Sequence, residues 1–209
     1  MAGRPDLWPA LRDPRVLALG IAYFVFNTSS LGLYLWLPNI VQAMGFSDTA
    51  TGFIVGLCFV ASIPAMILCG RSSSRRGERL WHVGLPWLLA GASLFAASLV
   101  QSNAIILAAL AIGLAAQYAP FGAFFSWPSS FLRGTAAAGG IGLFNTFGNF
   151  GAFFGPVLIG ALVQGSADYA SSFMLIALGY AISALIVIAV GRSLAPRPVL
   201  VAAQVGGAE

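Results

Sequence analysis

Long stretches without a single charged side chain constrain this sequence more than any other feature. No Asp, Glu, Lys or Arg occurs in 16–47, 49–70, 80–132, 134–167 or 169–191. About 20 apolar residues in a helix cross a hydrocarbon core. Lipid admits only helices or closed barrels, because every backbone polar group must find its partner inside the protein. These runs lack the period-two alternation of barrel strands. The 80–132 run is long enough for two helices, with Gln101-Ser102-Asn103 as its polar break. The pattern therefore predicts an all-α membrane protein with six transmembrane helices near 16–43, 48–70, 81–100, 104–127, 135–163 and 169–191. Segment 1–15 precedes this 16–191 bundle and tail 192–209 follows it. Pro38 and Pro156 are expected to kink or end the long first and fifth helices. Arg4, Arg12 and Arg15 before an apolar run suggest a signal peptide only superficially. The run from Val16 is too long for one and lacks a small-x-small cleavage pattern, so it is expected to remain as an anchor.

Composition narrows the function classes. Only 8% of the 209 residues are charged, against about 25% in an ordinary soluble domain. That is too few for a soluble enzyme surface or for the dense phosphate contacts of a nucleic-acid binder. Cys58 and Cys69 lie in apolar runs without metal-ligand spacing and read as buried thiols. Ser93 and His82 share a predicted helix, but eleven residues separate them by about 16 Å, and no GxSG-like nucleophile motif is present. The expectation is a protein that is not an enzyme, with no metal and no cofactor.

Orientation follows from the arginines, since all ten basic residues are Arg. With six spans, Arg4, Arg12, Arg15, the four in 71–80, Arg133, Arg192 and Arg197 fall on one side. The opposite loops carry only Asp48 and Asp168. The positive-inside rule puts the arginine side, with both termini, in the cytoplasm. His82 is expected at the interface where the third helix starts.

Neutral polar residues remain as candidates at depth. Tyr23, Asn27, Ser30 and Tyr34 follow i, i+4, i+7, i+11 and share one face of the first helix. Asn145 and Asn149 share a face of the fifth, and Gln117 lies in the fourth with Phe121 and Phe124 on its side. At 1.5 Å per residue, Asn27, Gln117, Asn145 and Asn149 sit about 15–21 Å inside their helices, near the middle of the membrane. Amides at one depth on three helices suggest a polar cavity, as in secondary transporters. They also suit interhelical glue, at about 0.6–2 kcal/mol each. The phenylalanines read as packing or lipid-facing. Gly148, Gly151 and Gly155 lie about a quarter-turn from the Asn face, where they allow another backbone to approach closely.

Three stretches carry a resemblance. The loop Gly70-Arg71-Ser72-Ser73-Ser74-Arg75-Arg76-Gly77-Glu78-Arg79-Leu80-Trp81-His82 resembles the G-x-x-S-D-R-x-G-E-R loop of the major facilitator superfamily, in its anion:cation symporter branch. Tyr34-Leu35-Trp36-Leu37-Pro38 is similar to the same branch. So is Gly134-Thr135-Ala136-Ala137-Ala138-Gly139 running into Asn145-x-x-Gly148-Asn149-x-Gly151 and Gly155-Pro156. The likeness covers about 14–191. It implies twelve spans in two six-helix halves around a pathway that opens to each side in turn, and this chain resembles only the second half. Much of that family's anion and proton chemistry belongs to charged residues of the first half. The loop's usual Asp is Ser74 here, which supplies no charge. By the resemblance, Arg71, Ser74, Arg75, Gly77 and Arg79 form a gating loop. For the arginines, topology and headgroup contact is the simpler role.

The leading expectation is proton-coupled symport of a small organic anion, a sugar acid or aromatic carboxylate, across a bacterial inner membrane. Tyr23, Asn27, Ser30, Tyr34, Gln117, Asn145 and Asn149 would bind the substrate. The chain would act with a first six-helix half or a second copy, within the lipid bilayer and without nucleic acid. The alternative is a truncated non-transporting membrane fragment, or a structural partner of another half-transporter.

Overall fold

In a computed structural model of the chain, residues 12–165 and 169–194 are described. Arg4, Arg197 and Asp168 lie outside them. The helices are α1 (Pro14–Ala43), α2 (Asp48–Arg76), α3 (Leu80–Ser98), α4 (Asn103–Tyr118), α5 (Phe121–Ser126), α6 (Gly134–Gly165) and α7 (Ala170–Leu194). With α4 and α5 counted as one interrupted span, six segments among the described residues are long and apolar enough to cross a membrane.

Local chemistry sets the ends. Pro14 opens α1, and the Asp13 carboxylate accepts from the Arg15 backbone N–H at 2.8 Å. Ser47 caps α2 by accepting from Ala50 N–H. α2 ends at Gly77 with φ +63°, a left-handed turn that costs a residue with a Cβ but not glycine. Glu78 then accepts from Trp81 N–H at 2.7 Å and satisfies a free donor at the start of α3. Pro38 and Pro156 both lie inside their helices, so neither terminates one. The expected fourth helix, 104–127, is instead interrupted at Ala119-Pro120. Pro120 lacks the N–H that would continue the ladder.

α1 is the central helix. Its Leu19, Phe26, Leu33 and Leu37 are fully buried, together with Trp87 of α3, Leu110 and Leu114 of α4, Phe124 of α5, Phe144 of α6 and Tyr180 of α7. α6 lies closest against α1, because the facing residues are glycines. A Cβ at Gly151 would come within 2.8 Å of the Phe24 carbonyl carbon, and one at Gly155 within 2.9 Å of Gly32 N. That approach lets Thr28 Oγ1 on α1 donate to Gly151 O at 3.0 Å, and Trp36 Nε1 donate to Pro156 O at 3.2 Å. α3 meets α7 at Gly91, where a Cβ would come within 3.0 Å of Ala177 O.

The outer helices are α2 and α6. α2 buries only Thr51, Cys58, Ser62 and Ser73. It leaves Phe53 75% and Leu57 71% exposed, and α6 leaves Phe153 72% exposed. Cys58 is buried and Cys69 half-buried, and both are free thiols.

Candidate functional site

The α1 stripe does not act as one surface. Tyr23 is buried and Asn27 half-buried. Both side chains lie against Gly148 of α6, where a Cβ would meet them. Ser30, nearly one turn beyond Asn27, is buried, whereas Tyr34 is 46% exposed. Asn145 and Asn149 are exposed on α6.

Gln117 lies elsewhere. Its side chain is fully buried. The Ser30 hydroxyl donates to its Oε1 at 2.9 Å, and the Tyr180 hydroxyl of α7 donates to the same oxygen. Trp87 Nε1 donates to the Gln117 backbone carbonyl at 3.4 Å. Gln117 thus ties α4 to α1, α3 and α7 just before the Pro120 interruption. Among the described residues its Nε2 has no partner, and a buried orphan donor costs about 1–3 kcal/mol. The structure therefore turns Gln117 and Ser30 into the bundle, and places Tyr34, Asn145 and Asn149 on its outside.

Aromatic rings join these two regions. Tyr34 touches Phe59 of α2 (5.5 Å between ring centres), Phe59 touches Tyr118 (6.0 Å), and Tyr118 touches Phe121 (5.3 Å). Phe121 touches Phe125 (5.9 Å), and Phe125 meets Tyr23 edge-on (5.5 Å). Phe59, Tyr118, Phe121 and Phe125 are half-buried. Of the phenylalanines expected to pack, Phe124 does so fully, with 1% exposure.

At the arginine end, the α2–α3 loop is held by its own hydrogen bonds. Ser73 Oγ donates to Glu78 O at 2.6 Å. His82 Nδ1 lies 2.6 Å from Glu78 Oε2, and His82 Nε2 lies 2.9 Å from Ser72 Oγ. Cys69 Sγ donates to His82 O at 3.3 Å. His82 thus clamps the end of α2 to the start of α3. Arg79 Nε donates to Ser126 Oγ at 3.1 Å, beside a hollow of about 270 Å³ that Ser74 and Gly77 also border. Arg71, Ser74, Arg75 and Arg76 are exposed. Arg15 stacks on Phe131 and Arg192 on Trp81. Outside the spans, the hydrogen bond from the Arg15 side chain holds the Asp13 carboxyl below its ordinary 3.8.

Tyr180, Trp87, Phe59 and the Ser72–His82–Glu78 chain were not legible as functional residues. Tyr180 in an apolar span was the one available signal, since a buried phenol needs a partner.

Six apolar spans among the described residues, the fourth of them interrupted, define an integral membrane protein. Residues 2–156 match the Major Facilitator Superfamily, and the chain belongs to that family. It is 36% identical over 186 residues to a protein of Agrobacterium vitis whose name proposes tartrate transport, covering 88% of this chain and 41% of that protein. It is 34% identical to a quinolone resistance transporter of Acinetobacter baumannii (78% and 38% covered). It is 33% identical to the inner membrane transport protein RhmT of Escherichia coli (71% and 35%). The chain thus spans about two fifths of the length of the first two of these relatives, the size of one six-helix half of the family's fold.

Proposed function

We propose that the chain supplies one wall of a passage for a small organic anion, a sugar acid or aromatic carboxylate, moved by proton-coupled symport. A second six-helix body, a first half or another copy, supplies the opposite wall. The arginine end, with both termini, faces the cytoplasm of a bacterial inner membrane. Tyr23, Asn27, Tyr34, Asn145 and Asn149 contact the solute, while Ser30 and Gln117 hold α1 and α4 in register behind them. Arg71, Ser74, Arg75, Gly77 and Arg79 act in gating, with the Arg79–Ser126 bond joining the loop to the interrupted span. Relatives named for tartrate and quinolone support a small organic cargo.

The observation that carries this reading is the side of the bundle on which Tyr34 is exposed and its neighbour Phe59 only half-buried. The purified chain in lipid nanodiscs, offered radiolabelled tartrate, benzoate and gluconate in turn, is the test. Saturable binding of at least one acid, weakened about tenfold by Asn27→Ala with Tyr34→Ala, is expected. Failure of all three to bind would falsify the reading.

A further inference from the structure

We propose that the hollow at the arginine end, between the close of α2 and α5, binds an anionic phosphate group on the Arg79 guanidinium. The site is separate from the solute passage and does not depend on it. The hollow holds about 270 Å³, several times the roughly 30 Å³ that one water occupies in the liquid. A tetrahedral anion therefore enters with part of its hydration. Three of the bordering residues are glycines, Gly70, Gly77 and Gly122, and a Cβ at any of them would meet nothing within 4 Å. The border is open, with room for a ligand to come close to the backbone.

Charge and hydrogen bonding select the ligand. Arg79 is half-buried. It pairs with no carboxylate among the described residues, where the ion pairs are Arg15–Asp13 and His82–Glu78. Glu78, the one acidic residue in 70–82, is engaged elsewhere: its Oε1 accepts from Trp81 N–H and its Oε2 lies against His82 Nδ1. A guanidinium partly withdrawn from water without a counter-charge is costly, and an anion arriving beside it removes that cost. The Arg79 Nε donates to Ser126 Oγ. That bond steadies the plane of the group and leaves its two terminal nitrogens without a hydrogen bond among the described residues. Paired N–H donors on a rigid plane match two oxygens of a phosphate. Ser74 adds an exposed hydroxyl at the rim. The Ser126 and Ser73 hydroxyls already donate, to Ala123 O and Glu78 O. Arg71 and Arg75, exposed beside Gly70 and Ser74 in the chain, make the approach positive. Two sources bring such a group to this end of the bundle, the headgroup of an anionic lipid and free phosphate in water.

Two assays on the full chain separate the sources. Native mass spectrometry from micelles, with phosphatidylglycerol added, reads lipid binding. Radiolabelled inorganic phosphate, added to the chain in phosphatidylcholine nanodiscs, reads the free anion. Arg79→Gln is expected to weaken the ligand that binds about tenfold. Gly122→Leu keeps every charge but puts bulk at the border of the hollow, and is expected to weaken it by a similar factor. Arg76→Gln removes an exposed arginine of the same loop that does not border the hollow, and should change binding less than about twofold. An unaltered circular dichroism spectrum checks folding of each variant. With the variants in that order, binding of phosphatidylglycerol alone assigns the site to a headgroup, and binding of inorganic phosphate assigns it to the free ion. Equal losses in Arg79→Gln and Arg76→Gln mean diffuse loop charge and overturn the proposal. Wild-type binding by Gly122→Leu places the anion outside the hollow and overturns it too, as does failure of both ligands to bind.

Discussion

Replacing Gly151 by alanine adds a single methyl group at the closest approach of α6 to α1. The new Cβ would meet the Phe24 carbonyl, with its carbon at 2.8 Å and the Phe24 Cα at 2.9 Å. Both are backbone atoms of a fully packed helix and have no rotamer to yield with. Overpacking of this kind costs about 1–3 kcal/mol. Pushing the helices apart also stretches the Thr28–Gly151 hydrogen bond of 3.0 Å, worth about 0.6 kcal/mol in a membrane protein. Against this, alanine gains up to about 1 kcal/mol over glycine in helix propensity. The net loss is about 1–3 kcal/mol. Gly142 is the internal control: it lies on the same helix, and a Cβ there meets nothing within 4 Å. Gly142→Ala should therefore be neutral or slightly stabilising. Unfolding by SDS titration in mixed micelles, followed by far-ultraviolet circular dichroism, separates the two. Equal midpoints for both variants would refute the close α1–α6 contact.

Three further outcomes follow from single contacts. Tyr180→Phe should cost about 0.6–1.7 kcal/mol in the same titration, and Gln117→Ala should cost more, because it strands the Ser30 and Tyr180 hydroxyls in the core. Gly77→Ala forces a Cβ into φ +63° and should destabilise the loop by about 1 kcal/mol, read as faster hydrogen exchange at Ser73–Leu80. Asp13→Ala removes the α1 cap and should cost about 1 kcal/mol at neutral pH. Because the folded carboxyl titrates below its ordinary 3.8, its contribution is complete above that pH and is lost as pH falls through the lower folded value. The gap between wild type and variant in thermal unfolding should narrow there.

The helices were legible because charge is so costly in lipid that its absence alone marks the spans. Helical periodicity placed Tyr23, Asn27, Ser30 and Tyr34 on one side of α1, but a side of about 100° on a central helix touches several neighbours. Ser30 therefore donates in the core to the Gln117 oxygen that also accepts from Tyr180, while Tyr34 stays exposed. Residues 87 and 63 positions apart make those contacts, and spacing within one helix carries no information about such pairs. Gln117 shows the same limit: depth was computable from helical rise, whereas inward or outward orientation depends on which helices surround it. The Pro120 interruption was readable in principle, since proline breaks the ladder wherever it falls. Its location in a long charge-free run concealed it. The His82 clamp depends on a turn at Gly77 that brings Ser72 and Glu78 to opposite sides of one imidazole.

Water access to the Tyr34 side of the bundle bears most directly on whether α1 borders a solute passage. In a Cys58→Ser, Cys69→Ser background, Tyr34→Cys and Asn149→Cys are compared with Leu185→Cys, an exposed apolar position on α7. Membranes containing each variant are treated with a membrane-impermeant maleimide. The account predicts that positions 34 and 149 react, that benzoate slows reaction at 34, and that position 185 stays unlabelled in lipid. Positions 34 and 149 as unreactive as 185 would mean that this side faces hydrocarbon and that no passage borders it.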